Sequence, residues 1–167
     1  MIQDVSDNIS DHSFRVTVIG MILSEMEKTD SNKVLKMCLF HDLAEARTGD
    51  ANAINKEYLD IHEEESIKDQ MEDLPIGKEI LSLLKEYLER KTRESIVAKD
   101  ADLLDQMIMQ QEYFFKDHKN RPIWQNHTQR TLKTKSAKVL ANKIRKSNPF
   151  EWLYNLLDKK TGRKTKR

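Results

Sequence analysis

Acids and imidazoles interrupt helices that are otherwise apolar, and at those interruptions this sequence has the means to do chemistry. His12 directly precedes an apolar helical face. His41-Asp42 closes the run Lys36-Met37-Cys38-Leu39-Phe40, where the next core residue is expected. Asp102 sits inside Ile96-Val97-Ala98-Lys99-Asp100-Ala101-Asp102-Leu103-Leu104, again in a core-like helix. A carboxylate buried without a partner is costly, so several such groups converging imply a positive partner among them. A divalent cation is the simplest: neutral imidazole with carboxylate suits Mn, Fe, Co, Ni or Zn, and carboxylates also accept Mg. Adjacent helical residues diverge by about 100°, so His41 and Asp42 can reach one ion only from near a helix end. Glu45 lies three residues from Asp42 and four from His41 and shares their face. Asp50 follows the turn at Gly49 and can swing back over the same place.

Helices must carry these groups. The chain has 167 residues, 38% hydrophobic and 34% charged, which is enough for one domain with one core. Only 4 Gly and 3 Pro argue against a β fold rich in turns. Apolar periodicity predicts helices over about 11–28, 31–45, 55–72, 76–91, 93–117, 134–147 and 149–158, with the polar stretch 117–133 as a long loop or short helix. In the first, Phe14, Val18, Ile22 and Met26, joined by Ile19 and Leu23, form the expected core face. Ser10 or Asp11 is its expected N-cap, and Ser31 or Asn32 that of the second. The architecture is all-α, with six or seven helices.

Composition also excludes classes of function. No apolar run approaches the roughly 18 residues a membrane span needs, and no signal-peptide core opens the chain. The single cysteine, Cys38, allows no intrachain disulfide and no zinc site built from cysteines, which fits a reducing, cytoplasmic location. Residues 159–167 (KKTGRKTKR) hold six Lys/Arg and read as a frayed, disordered tail; without them 23 basic residues face 28 acidic ones. Such an acidic body is a poor binder of nucleic acid, and no specific nucleic-acid partner is expected.

His12, then His41-Asp42, then Asp102 resemble the H…HD…D signature of the HD-domain metal-dependent phosphohydrolases. The longer string His41-Asp42-Leu43-Ala44-Glu45-Ala46-Arg47-Thr48-Gly49-Asp50 is similar to the branch containing the 5′-deoxynucleotidases. Asp11-His12-Ser13-Phe14-Arg15-Val16, Lys99-Asp100-Ala101-Asp102 and Leu132-Lys133-Thr134-Lys135-Ser136 match the same branch. The resemblance implies a single HD-domain helical bundle over 1–158 and a divalent metal (Mn, Co, Mg, Fe, Ni or Zn) held by His12, His41, Asp42 and Asp102. It implies acid–base and water-orienting roles for Glu45 and Asp50, and a nucleotide pocket lined by Asp50, Ala51, Asn52 and Ala53. The implied reaction is release of phosphate from deoxyribonucleoside 5′-monophosphates by a homodimer, with the Met-rich helix around 103–115 as a reasonable pairing surface. Relatives carry about one more helix before the first His, with an Arg and an aromatic that help bind the nucleotide. The eleven residues before His12 contain no Arg, Lys or Trp, so either the chain begins late or another basic residue makes that contact.

Two other functions share these motifs. One is hydrolysis of a different nucleotide, such as a triphosphate, a cyclic nucleotide or a guanosine polyphosphate; the other is a non-catalytic scaffold keeping metal for stability. Arg15, Arg47 and Lys99 flank the motifs as candidate phosphate contacts. Asp100 and Asp105 read as acids on a helix surface, and His62, His118 and His127, among polar residues, read as solvated.

Overall fold

A computed structural model describes residues 8–51, 53–113, 115, 121–162 and 164. Among them every regular element is helical: α1 (Ile9–Glu27), α2 (Ser31–Phe40), α3 (Glu45–Thr48), α4 (Ala53–Lys56), α5 (Glu63–Met71), α6 (Gly77–Glu89), α7 (Arg93–Tyr113), α8 (Arg121–Thr131), α9 (Lys135–Lys146) and α10 (Glu151–Thr161). The all-α expectation holds, but the helix count was too low. Eight of these helices have at least nine residues, and α3 and α4 are single turns. The polar stretch after residue 117 contains α8, and the helix expected over 55–72 divides into α4 and α5. α10 continues to Thr161, three residues into the segment expected as a tail, and ends at Gly162. No helix among the described residues is long and apolar enough to cross a membrane.

Caps fix the first two helices one residue or more earlier than expected. The Asn8 side chain accepts from the Asp11 N–H, and the Asp30 side chain from that of Lys33. α2 then stops at Phe40. Beyond it the bonds tighten to three-residue spacing, Leu43 N–H to Phe40 C=O and Glu45 N–H to Asp42 C=O, each 3.0 Å. The helix predicted through residue 45 is therefore interrupted at 41–44, in the turn that carries His41 and Asp42.

α1, α2 and α7 pack together, with α6 and α9 against them. Their core holds Val16, Leu23, Val34, Met37, Leu104 and Met107, all with at most 1% exposure. A second cluster, Ala44, Ile67, Met71, Ile80 and Leu84, fastens α5 and α6 to the 41–44 turn. The expected core face of α1 holds only at Leu23, which is buried, and Ile19, which packs against the core; Phe14, Val18, Ile22 and Met26 are exposed, while Ser13, Val16, Gly20 and Ser24 are buried with Leu23. Small residues let α1 approach α2 closely, which larger apolar residues would prevent. A Cβ at Gly20 would lie 2.5 Å from Cys38 Sγ and 3.3 Å from a Val34 methyl. In α7, Leu103, Leu104 and Met107 are buried inside the chain's own core, so those residues do not form the pairing surface expected from sequence.

Because Gly20 sets the spacing of the two helices that carry His12 and His41, Gly20→Val should destabilise the protein by about 1–3 kcal/mol through overpacking. Urea denaturation measures this, and an unchanged midpoint would contradict the close-approach account.

Candidate metal centre

Each element delivers its group for a local reason. The first turn of α1 places His12 over α7. The tightened turn after α2 turns both members of His41-Asp42 inward, as their adjacency requires of a helix end. α7 supplies Asp102 from its buried face. His12 Nε2 lies 3.3 Å from Asp42 Oδ2 and 3.5 Å from Asp102 Oδ1, and His41 Nε2 lies 3.1 Å from Asp42 Oδ2. The two rings are 5.2 Å apart. His12, His41 and Asp42 each offer a ligand atom within 4.8 Å of the others, and Asp102 flanks this triad through its contact with His12.

The two imidazoles are oriented from behind. His41 Nδ1 lies 2.8 Å from the Cys38 carbonyl oxygen, which can only accept, so Nδ1 carries the hydrogen and Nε2 presents a lone pair inward. Nε2 is buried, makes no hydrogen bond among the described residues, and lies 3.1 Å from Asp42 Oδ2. A buried orphan acceptor is costly, and a cation resolves it. His12 Nδ1 lies 2.8 Å from Asp105 Oδ2. Arg15 in turn clamps Asp105, its Nε 2.8 Å from Oδ1 and an Nη 3.0 Å from Oδ2. Two nitrogens and two carboxylates, with their outer atoms held in this way, fit a divalent transition metal or Mg.

The electrostatics ask for positive charge. Burial favours the neutral ring of His12, but contacts with Asp102, Asp105 and Asp42 outweigh it and push the pKa up to about 12. Burial opposes ionisation of Asp102 and Asp42 too. His12 and then Lys99 nevertheless bring Asp102 down to about 2, and His12 holds Asp42 well below the carboxylate range. Glu45 goes the other way: burial, then the charges of Asp42 and Asp50, raise it to about 7. Burial also pushes the Cys38 thiol up to about 12, which makes it a poor nucleophile.

The sequence-predicted residues are not all brought together. His12, His41, Asp42 and Asp102 converge, with half-buried Glu45 beside Asp42. Asp50 is exposed beyond Gly49, whose φ of 78° favours glycine, and its charge reaches Glu45. Ala51 is half-buried, Asn52 lies outside the described residues, and Ala53 opens α4. Of the expected phosphate contacts, Arg15 is engaged by Asp105 and Lys99 by Asp102, while Arg47 is exposed, 3.8 Å from Asp69. His62 and His127 are exposed, and His118 lies outside the described residues.

Three residues were missed. Asp105, read as a surface acid, has no exposure at all and anchors His12. The available signal was spacing: His12 and Arg15 are three apart, as are Asp102 and Asp105, so two helix faces offer complementary pairs. Asp100, also read as a surface acid, is buried and accepts from the Lys133 and Thr134 N–H groups and the Thr134 hydroxyl, which positions the start of α9. Lys56 is 3.1 Å from Glu63 and lies in the field of Glu45 and Asp42.

Comparison with known proteins agrees with this geometry. Residues 2–145 match the family described as HD domain. The chain belongs to the HD-domain family. It is 32% identical over 127 residues to 5′-deoxynucleotidase HDDC2 of Dictyostelium discoideum, covering 69% of this chain and 67% of that protein. Against the human 5′-deoxynucleotidase HDDC2 the identity is 30% over 118 residues, covering 68% of this chain and 57% of the human one. A solved conserved hypothetical protein from Pyrococcus furiosus superposes with a TM-score of 0.68 at 28% identity over 84% of each chain. Members of the HD-domain family are metal proteins, and His12, His41 and Asp42 form this chain's candidate site.

Two outcomes test the centre. Asp105→Asn should weaken metal affinity about 10–100-fold in chelator competition by loosening His12; equal affinity would remove Asp105 from the site. In chelator-treated protein the raised pKa of His12 stabilises fully below its ordinary 6.5 and progressively less as pH rises toward about 12. The lowered pKa values of Asp42 and Asp102 stabilise fully above their ordinary 3.8 and less as pH falls below it. Thermal stability should therefore drop between about pH 6.5 and 9, whereas a flat profile would contradict the cluster.

Proposed function

We propose that this protein is a metal-dependent phosphomonoesterase that releases phosphate from deoxyribonucleoside 5′-monophosphates. The observation that carries the reading is the buried, unpartnered Nε2 of His41 facing His12 and Asp42. Family membership and relatives named 5′-deoxynucleotidases support the substrate class.

In this reading His12, His41, Asp42 and Asp102 hold the cation. When bound, it supplies Lewis-acid polarisation of a phosphoryl oxygen and makes the attacking water more acidic. Glu45 exchanges the proton; in the chain without metal, burial and the neighbouring Asp42 and Asp50 raise its pKa to about 7. Asp50 orients the attacking water, and the segment Asp50, Ala51, Asn52, Ala53 lines the nucleotide. Lys56, close to Glu45 and Asp42, contributes positive charge toward the phosphate dianion, a role the sequence left to Arg15, Arg47 or Lys99.

Metal-loaded protein incubated with deoxy- and ribonucleoside mono-, di- and triphosphates tests the reading. Phosphate release from deoxymonophosphates alone is expected. Pyrophosphate or triphosphate release would place the chain with another nucleotide hydrolase, and silence with every divalent ion would leave a metal-holding scaffold. Glu45→Gln should lower kcat by about 10²–10⁴ with metal content unchanged. His41→Ala and Asp42→Ala should lose metal and turnover together, and full metal retention would overturn the ligand assignment.

A further inference from the structure

Charge is divided unevenly along the chain. Of the 28 Asp/Glu, 25 precede residue 116, whereas residues 121–150 hold eight Lys/Arg and no acid. α9 gathers that charge on one side. Its Ala137 and Ala141 are buried in the core, so Lys135, Val139, Asn142 and Lys146 follow one another along the exposed face, flanked by Lys138 and Lys143. Lys135 lies in the field of the Glu27 carboxylate. Lys138, Lys143 and Lys146 have no ion pair or hydrogen bond among the described residues. Lys135 and Lys138, like Lys143 and Lys146, stand three residues apart, where like charges repel. The stripe therefore gains from an external anion.

Two neighbouring features say what kind of anion. At the C-terminal end of the stripe, a shallow hollow of about 440 Å³ is lined by Val139, Asn142, Lys143, Lys146 and Ser147. The Ser147 hydroxyl is already spent on the Ile144 carbonyl, and the Asn142 side-chain oxygen accepts from Gln129. Two ammonium groups and the Asn142 amide N–H groups remain as donors, with no carboxylate in the lining. Then comes α10, none of whose residues is buried. Phe150 meets the Phe115 ring edge-on at 6.0 Å, and Leu153 and Tyr154 are half-buried. Trp152, 68% exposed, and Leu156, one turn on, project away from that contact, with exposed Lys159 and Lys160 beside them. Tryptophan and leucine exposed among lysines suit the boundary between lipid headgroups and acyl chains. A nucleic-acid backbone would meet the charge but gives Val139 and Leu156 no apolar partner.

We propose that α9 and α10 form a surface by which this protein adsorbs to bilayers of anionic phospholipid. Lys138, Lys143 and Lys146 face the headgroup phosphates, one of which sits in the hollow, while Trp152 and Leu156 enter the interface. Adsorption needs no spanning helix, and none is present among the described residues. These residues lie outside the metal centre, so the proposal stands or falls independently of the hydrolase reading.

Co-sedimentation with vesicles tests it, using phosphatidylcholine mixed with phosphatidylserine against phosphatidylcholine alone. The parent protein should bind the mixed vesicles, release them as salt rises, and show a blue shift of tryptophan emission that Trp152→Phe removes. The triple variant K138Q/K143Q/K146Q should bind about 10²-fold more weakly, at about five-fold per lysine. W152A/L156A should bind about ten-fold more weakly through lost apolar contact. Metal content and thermal midpoint, measured without vesicles, should match the parent in both variants. Failure of the parent to bind the mixed vesicles overturns the proposal whatever the variants do, and so does parent-like binding by either variant. Capture of an RNA oligonucleotide without vesicle binding would assign the stripe to nucleic acid, and salt-reversible self-association without vesicle binding would assign it to the acidic part of a second copy; both refute a lipid surface.

Discussion

The interaction on which the rest depends is the contact of one imidazole, His12, with three carboxylates. Asp42, Asp102 and Asp105 surround it at 3.3, 3.5 and 2.8 Å, and Asp102 and Asp105 are buried. Carboxylates so close together and so far from water remain ionised only with positive charge among them. In the chain alone a proton on His12 supplies it, which is why burial fails to keep that ring neutral. A divalent cation supplies more charge and also satisfies His41 Nε2, which a proton on His12 leaves without a partner. Proton and cation therefore compete for the same centre.

α7 shows how one helix serves this arrangement. Its three buried aspartates do three different things. Asp100 turns away and accepts three hydrogen bonds from residues 133–134, which starts α9. Asp102 faces the imidazoles and takes a hydrogen bond from Tyr87. Asp105 receives the outer nitrogen of His12 and the Arg15 guanidinium. None of the three is left buried without a partner, so the helix tolerates a charge density that an apolar core would otherwise reject. Across from it, the small residues of α1 keep His12 near enough to be shared.

The convergence of His12, His41, Asp42 and Asp102 was legible in the sequence because its anomalies were local. A His-Asp pair ending an apolar run, and an Asp flanked by Ala and Leu, announce buried polar groups without any knowledge of the fold. The requirement that adjacent side chains converge only at a helix end also held, since α2 ends at Phe40. What failed was information carried by partners distant in sequence. α1 has apolar residues on both sides, so periodicity could not say which side faces inward; the close contact of Gly20 with Cys38 decided it. Asp105 looked like any surface acid until Arg15 and His12 were placed opposite. The split into α4 and α5, like the interruption at 41–44, reflects hydrogen bonding that tertiary packing selects over the continuous periodic pattern.

Anomalous diffraction from a crystal soaked in Mn²⁺ tests the central claim most directly. A single peak should lie at bonding distance, about 2.0–2.3 Å, from Nε2 of both His12 and His41 and from carboxylate oxygens of Asp42 and Asp102. No peak among these four side chains, or occupancy only elsewhere on the surface, would contradict the account.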